Sequence, residues 1–204
     1  MAWKYAASAG LLVAGLLGGL AYVILSDNGD ARFAHCRATS IAGAIGGPFE
    51  LVDHHGRTVT DREIIDRPTL IYFGYTFCPD VCPWDAARNA QVVDMLAEQG
   101  LAAQPVFVSV DPARDTPEVL ARFAGNLHPA MIGLTGSDEQ VRAASQAYRT
   151  FFQRHDGDGD EFYLVDHSTF SYLALPGHGV VEVYRRTQSP DEIAASMACF
   201  IDAA

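Results

Sequence analysis

Cys78 and Cys82 stand four residues apart in Phe77-Cys78-Pro79-Asp80-Val81-Cys82-Pro83. Side chains at that spacing meet on one face of a helix, so both sulfurs can point at a common spot. Two thiolates so placed can close a disulfide or hold a soft metal ion. The alternative is a pair of inert buried thiols. The flanking prolines and the strand-to-helix junction argue against it, because a helix N-terminus offers unpaired N–H groups and partial positive charge that favour thiolates. A third donor stands in Val165-Asp166-His167-Ser168, just ahead of an apolar run. Two sulfurs and one imidazole nitrogen suit a three-coordinate Cu(I), whereas zinc wants a fourth ligand. Thiol–disulfide exchange without metal is the rival chemistry. It usually uses two intervening residues rather than three, and it has no need of a histidine.

The elements that must position these groups begin near Pro48. Phe49–Val52 and Thr58–Thr60 read as a hairpin turning around Gly56. Thr69–Tyr75 is a continuous apolar run, the mark of a buried central strand. Pro83 is expected to open a helix that runs to about Gln99 and stops at Gly100. Ala103–Asp111 is a second buried strand, and Asp115-Thr116-Pro117-Glu118 starts a helix ending near His128-Pro129, with Asp115 as its expected cap. Asp111 could line the site beside it. Met131–Leu134 reads as a short extra strand, and Ser137-Asp138-Glu139-Gln140 as a capping box for a helix to Phe152. Strands Ser168–Leu175 and Val180–Tyr184 follow, then a last helix from Ser189. Helices alternating with the first two strands demand parallel crossovers, and a terminal hairpin and helix complete the order. The expected class is therefore α/β, a thioredoxin-like fold with an N-terminal hairpin and a mid-chain insertion. In that topology the entrance of the terminal hairpin packs against the cysteine loop, which brings His167 to the two sulfurs.

Of the 204 residues, Tyr5 to Leu25 carry no charge. As a helix they cover roughly 30 Å, enough for the hydrocarbon core of a bilayer. A cleaved signal peptide is the competing reading, but its apolar stretch is usually shorter and no small-x-small cleavage site follows Ser26. The expected organisation is residues 1–4 as a cytoplasmic N-terminus, 5–25 as one transmembrane helix, 26–47 as a polar tether and 48–204 as the folded domain. A formal net charge of −11 speaks against nucleic acid as a partner.

At this point the sequence resembles the Sco (SenC) family of copper proteins. The resemblance lies in Gly47-Pro48-Phe49-Glu50-Leu51, in Phe73-Gly74-Tyr75-Thr76 leading into the cysteine motif, in Val110–Pro117 and in Asp166-His167-Ser168. It implies copper ligands at Cys78, Cys82 and His167, with Cu(I) as the bound ion and Cu(II) left open. It also implies support for assembly of the dinuclear copper centre in cytochrome c oxidase subunit II, with copper donor and thiol reductant proteins as further partners. A bacterial cytoplasmic-membrane location follows, with a single span and the domain in the periplasm. No turnover chemistry is required, so an enzyme is not expected. A thiol–disulfide oxidoreductase that keeps the target's cysteines reduced is the second reading.

Cys36 and Cys199 remain. Cys36 sits in a tether with little other reason to be ordered, and Cys199 lies on or near the apolar stripe of the last helix. A disulfide between them is expected in an oxidising compartment, the alternative being an exposed Cys36 and a buried free Cys199. His54-His55 could form an incidental secondary metal site. The acidic run Asp156–Glu161 imitates a calcium loop, but its twelfth position falls on His167 rather than on a bidentate glutamate, so it reads as a solvated turn.

Overall fold

A computed structural model describes residues 18–19, 32–37, 45–155 and 163–204. The chain divides into residues 1–35 and 36–204. In the first part Arg32 and Phe33 form a single 3₁₀ turn. The expected anchor lies outside the described residues except for Gly18 and Gly19. No helix among the described residues is long and apolar enough to cross a membrane. The acidic run at 156–161 also lies outside them.

Residues 36–204 form a seven-stranded mixed sheet. Its strands are β1 (Glu50–Asp53), β2 (Thr58–Thr60), β3 (Thr69–Gly74), β4 (Gln104–Ser109), β5 (Ile132–Thr135), β8 (Ser171–Leu175) and β9 (Gly179–Tyr184). A separate ribbon pairs β6 (Phe152–Arg154) with β7 (Val165–His167). The helices are α1 (Asp61–Ile64), α2 (Val81–Glu98), α3 (Pro117–Leu127), α4 (Asp138–Ala147) and α5 (Pro190–Ala203). Strand order is β2-β1-β5-β4-β3-β8-β9, with β3, β4 and β5 parallel and the other pairs antiparallel. The βαβ unit and terminal hairpin are those of a thioredoxin-like α/β fold.

Every residue of β3 and β4 is buried, as expected of central strands, including the polar Thr69, Gln104 and Ser109. Neighbouring side chains on a strand face opposite ways, and β3 uses both faces. Tyr72 packs toward Phe107, which meets Phe123 of α3. Phe73 turns the other way, into a cluster with Tyr148 and Tyr172 at 5.3 and 5.9 Å between ring centres. The expected capping box at Ser137 starts α4, and α5 starts at Ser189 as expected, where the structure shows a second box.

Four boundaries differ from expectation. Helix α2 begins at Val81, two residues ahead of its proline, because first-turn N–H groups have no intrahelical partner and Pro83 removes nothing there. Thr116, not Asp115, caps α3, its hydroxyl accepting from Val119 N. Helix α4 stops at Ala147 and not near Phe152, since Tyr148 enters the aromatic cluster and Arg149 turns left-handed at φ +50°. Strand β8 starts at Ser171, and His167 instead ends β7, paired with Phe152 of β6.

Candidate metal centre

The loop from β3 into α2 brings Cys78 and Cys82 to the C-terminal edge of the parallel strands. Both are free thiols, Cys82 fully buried and Cys78 7% exposed. Each sulfur accepts one backbone N–H at 3.5 Å, Cys78 from Cys82 in the first turn of α2 and Cys82 from Tyr75. Asp80, at the cap position, makes no side-chain cap bond, so the Cys78 sulfur takes up an N–H that a cap would otherwise serve. Gly74 makes the approach possible. A Cβ there would lie 2.8 Å from the Tyr72 ring and 2.9 Å from the Cys82 sulfur.

Strand β7 delivers His167 from the other side. Its Nε2 lies 3.2 Å from Cys82 Sγ, and its Nδ1 lies 3.0 Å from the carbonyl of Ser168. A carbonyl only accepts, so the proton is assigned to Nδ1 and the Nε2 lone pair faces the sulfur. Tyr72 and Tyr75 set their rings edge-on to the imidazole at 6.1 and 5.7 Å. Burial pushes the His167 pKa below its ordinary value. Burial likewise pushes the Cys82 thiol well above its ordinary range. The metal-free site therefore holds a neutral imidazole against a protonated thiol. The ligand atoms of Cys78, Cys82 and His167 all lie within 4.8 Å of one another, and the group has no fourth member among the described residues. Two sulfurs and one lone-pair nitrogen gathered at a largely buried site fit a soft monovalent ion.

The β4–α3 loop holds this arrangement together. Asp115, fully buried, accepts from Thr76 N at 3.0 Å, from the Thr76 hydroxyl and from Ser109 Oγ at 2.6 Å. Burial raises its pKa, partly offset by those bonds. Rather than capping a helix, it ties down the cysteine loop. Asp111 stands one step further out: it pairs with Arg114 and accepts from the Tyr163 hydroxyl. The Arg114 guanidinium donates to the Tyr163 carbonyl at 3.0 Å and lies over the rings of Tyr163 and Phe77, 3.5 and 4.9 Å from their centres. One arginine thus joins the loop before Cys78 to the chain entering β7. On the far side, the Tyr72 hydroxyl donates to buried Asp85 at 3.1 Å, with Arg88 and Arg186 3.8 and 3.7 Å from that carboxylate. The motifs named Gly74 without its role at the sulfur, and they did not include Tyr72 or Asp85. Only the glycine left a signal, as a small residue ending a buried strand.

Residues 37–202 match the SCO1/SenC family. The chain belongs to it. Protein SenC of Rhodobacter capsulatus is 49% identical over 200 residues, covering 97% of this chain and 89% of that protein. Among solved structures, Arabidopsis thaliana ScoI with copper bound aligns at 35% identity and a TM-score of 0.73, over 78% of this chain and 99% of that one. Bradyrhizobium japonicum ScoI with copper bound aligns at 34% and 0.68, over 76% and 98%. These similarities bear out the SCO1/SenC resemblance and the thioredoxin-like fold.

The other cysteines are joined. Cys36 and Cys199 form a disulfide with Cα atoms 5.7 Å apart. His54 accepts from Gly133 N at 2.9 Å through Nδ1, which binds the β1–β2 turn to β5 and takes that nitrogen out of any metal site.

Proposed function

We propose that this SCO1/SenC member is a copper metallochaperone in which Cys78, Cys82 and His167 hold Cu(I). The observation that carries the reading is the 3.2 Å approach of His167 Nε2 to Cys82 Sγ with Cys78 in the same group. Copper is the cargo, and Cu(II) is a second form the site could accept. Loading removes the thiol protons, so uptake weakens as pH falls. The dinuclear copper centre of cytochrome c oxidase subunit II is the proposed destination, with a copper donor and a thiol reductant as further partners. Residues 5–25 serve as a single membrane anchor and the domain faces the periplasm of a bacterial cell. The protein is no enzyme on this reading.

A thiol–disulfide oxidoreductase is the second reading, supported by two free thiols at a helix N-terminus. His167→Ala separates the two. Dithiol oxidation needs only Cys78 and Cys82, while copper loses its one nitrogen ligand. Cu(I) affinity, measured by competition with a chelator, should fall by more than about a hundredfold, the upper end of what a supporting residue alone costs. Oxidase assembly in cells should fail with it. Wild-type affinity and full oxidase activity in the variant would leave only the reductase.

A further inference from the structure

A cavity of about 630 Å³ opens on the sheet face that carries the Phe73–Tyr148–Tyr172 cluster, beyond the end of α4. Its size lies within the roughly 300–1,000 Å³ that ligand sites occupy. Tyr148, Tyr172 and Val183 form an apolar floor, and Phe170, 41% exposed, forms one wall. Arg149, Arg185 and Arg186 also line it, and no carboxylate among the described residues does. On a chain of net charge −11, three arginines around one apolar pocket are a local reversal of sign, with Arg186 shared with the Asp85 carboxylate.

The arginines stand on fixed backbone. Arg149 holds the left-handed conformation that few non-glycine residues adopt, its N–H bonded to Gln146 O at 3.1 Å. Arg185 N–H is held by Gln188 Oε1 at 2.7 Å, and the carbonyls of Arg185 and Arg186 receive Arg88 Nη1 at 3.3 and 2.9 Å. Fixed backbone sets where each stem leaves the fold, and each guanidinium can form a bidentate pair with a carboxylate. The cavity shares no lining residue with the metal centre but is linked to it at two points. Thr169 and Phe170 lie two and three residues after His167, and Arg186 reaches the Asp85 carboxylate that accepts from Tyr72.

We propose that this cavity receives an acidic segment of the protein that exchanges metal with the site, an extended stretch whose carboxylates flank an aromatic or long aliphatic side chain. The inference rests on the metallochaperone reading. The inserted side chain fills the floor, the carboxylates meet the arginines, and the partner's own ligands are thereby brought beside His167. An anionic bilayer is the poorer occupant, since a concave pocket admits one side chain and the net charge repels an extended acidic surface.

The test uses the full chain in phosphatidylcholine nanodiscs. A fluorescein-labelled, end-capped peptide Asp-Phe-Glu-Leu-Asp is titrated against it and compared with its neutral counterpart Asn-Phe-Gln-Leu-Asn by anisotropy. The acidic peptide should bind and the neutral one should not. Raising salt should weaken binding, and the double variant Arg149→Gln, Arg185→Gln should weaken it by about tenfold or more. Phe170→Ala should weaken it too, with the charges intact. Equal binding of both peptides, unchanged binding by the double variant, or response only to phosphatidylglycerol nanodiscs would overturn the proposal. Chelator competition on the same samples keeps the two readings apart. Peptide binding without Cu(I) binding sinks the metallochaperone and leaves the acidic-segment site standing. Cu(I) binding at wild-type affinity without peptide binding does the reverse.

Discussion

The chain carries two cysteine pairs that solve opposite problems. Cys78 and Cys82 are four residues apart, free, and gathered with an imidazole. Cys36 and Cys199 are 163 residues apart and bonded. In the chain-entropy picture a crosslink stabilises by the loop it closes in the unfolded state, and that contribution grows with the logarithm of loop length. A five-residue loop is worth about 2 kcal/mol and one of the length closed here about 5 kcal/mol. The near pair can therefore open and close at small cost to the fold, which suits a site that must alternate between dithiol and metal-bound forms. The far pair is a staple. Position in the chain, more than the chemistry of sulfur, separates a site from a support.

The comparison is most exposed at the staple. Cys199→Ser should lower unfolding free energy by about 4–5 kcal/mol, read by urea melts of the oxidised proteins. Cu(I) affinity of the folded variant should be unchanged, because neither Cys36 nor Cys199 belongs to the Cys78–Cys82–His167 group. A variant that melts like wild type, or one that folds but loses copper, would break the division between support and site.

At the near pair the sharper question is what holds the loop. Asp115→Ala strands the Thr76 N–H, the Thr76 hydroxyl and the Ser109 hydroxyl, which now all donate to one carboxylate. Hydrogen bonds to a charged group contribute about 1.5–3 kcal/mol, so a loss of about 3 kcal/mol is expected. Copper affinity should drop about tenfold as Cys78 loses its fixed position. Urea melts and chelator competition on one preparation measure both. Stability lost with affinity intact would return Asp115 to a purely local role.

What the sequence disclosed follows the same line between local and distant contacts. The cysteine motif, the hairpin at Gly56, the capping box at Ser137 and the helix start at Ser189 are local patterns, and the structure has all of them. His167 could be matched to the cysteines because the order of strands and helices limits where the terminal hairpin begins. Asp115 was misjudged because its partner Thr76 lies 39 residues away, while the helix it precedes is adjacent. The β6–β7 ribbon went unread because three residues, Phe152-Gln153-Arg154, give no alternation to detect. Asp85 looks like one polar residue on an amphipathic helix until Tyr72, Arg88 and Arg186 are seen around it.

Gly74→Ala probes the near pair more gently. The added Cβ meets the Tyr72 ring and the Cys82 sulfur below 3 Å, and Phe107 at 3.1 Å. Overpacking of this kind costs about 1–3 kcal/mol, and here the displaced atom is a proposed ligand. The variant should fold, melt slightly earlier and release Cu(I) faster than wild type. Unchanged release in a variant of lowered stability would show that the ring yields and the sulfur does not.

The smallest effect asks whether acid stability belongs to either pair. The disulfide carries no titrating group, and burial raises the Cys82 thiol pKa, so neither accounts for a change below pH 5. Asp53, buried in the first hairpin, is a better candidate. Burial alone would raise its pKa. The N–H groups of His55 and Arg57, both at 2.9 Å from Oδ1, and the Arg57 guanidinium at 2.8 Å from Oδ2 outweigh that and leave it lowered. A carboxylate with a depressed folded-state pKa stabilises fully above its unfolded value, near 3.9, and that stability is lost as pH falls through the folded value. Asp53→Asn keeps an acceptor for the turn but cannot ionise. The gap in unfolding free energy between wild type and Asp53→Asn should therefore hold constant from pH 7 down to about 5 and narrow at pH 4 and 3. Urea melts at those four pH values measure it. A gap that stays constant into acid would show that the Asp53 charge does not contribute, and one that narrows only with reductant present would hand the acid response back to the cysteines.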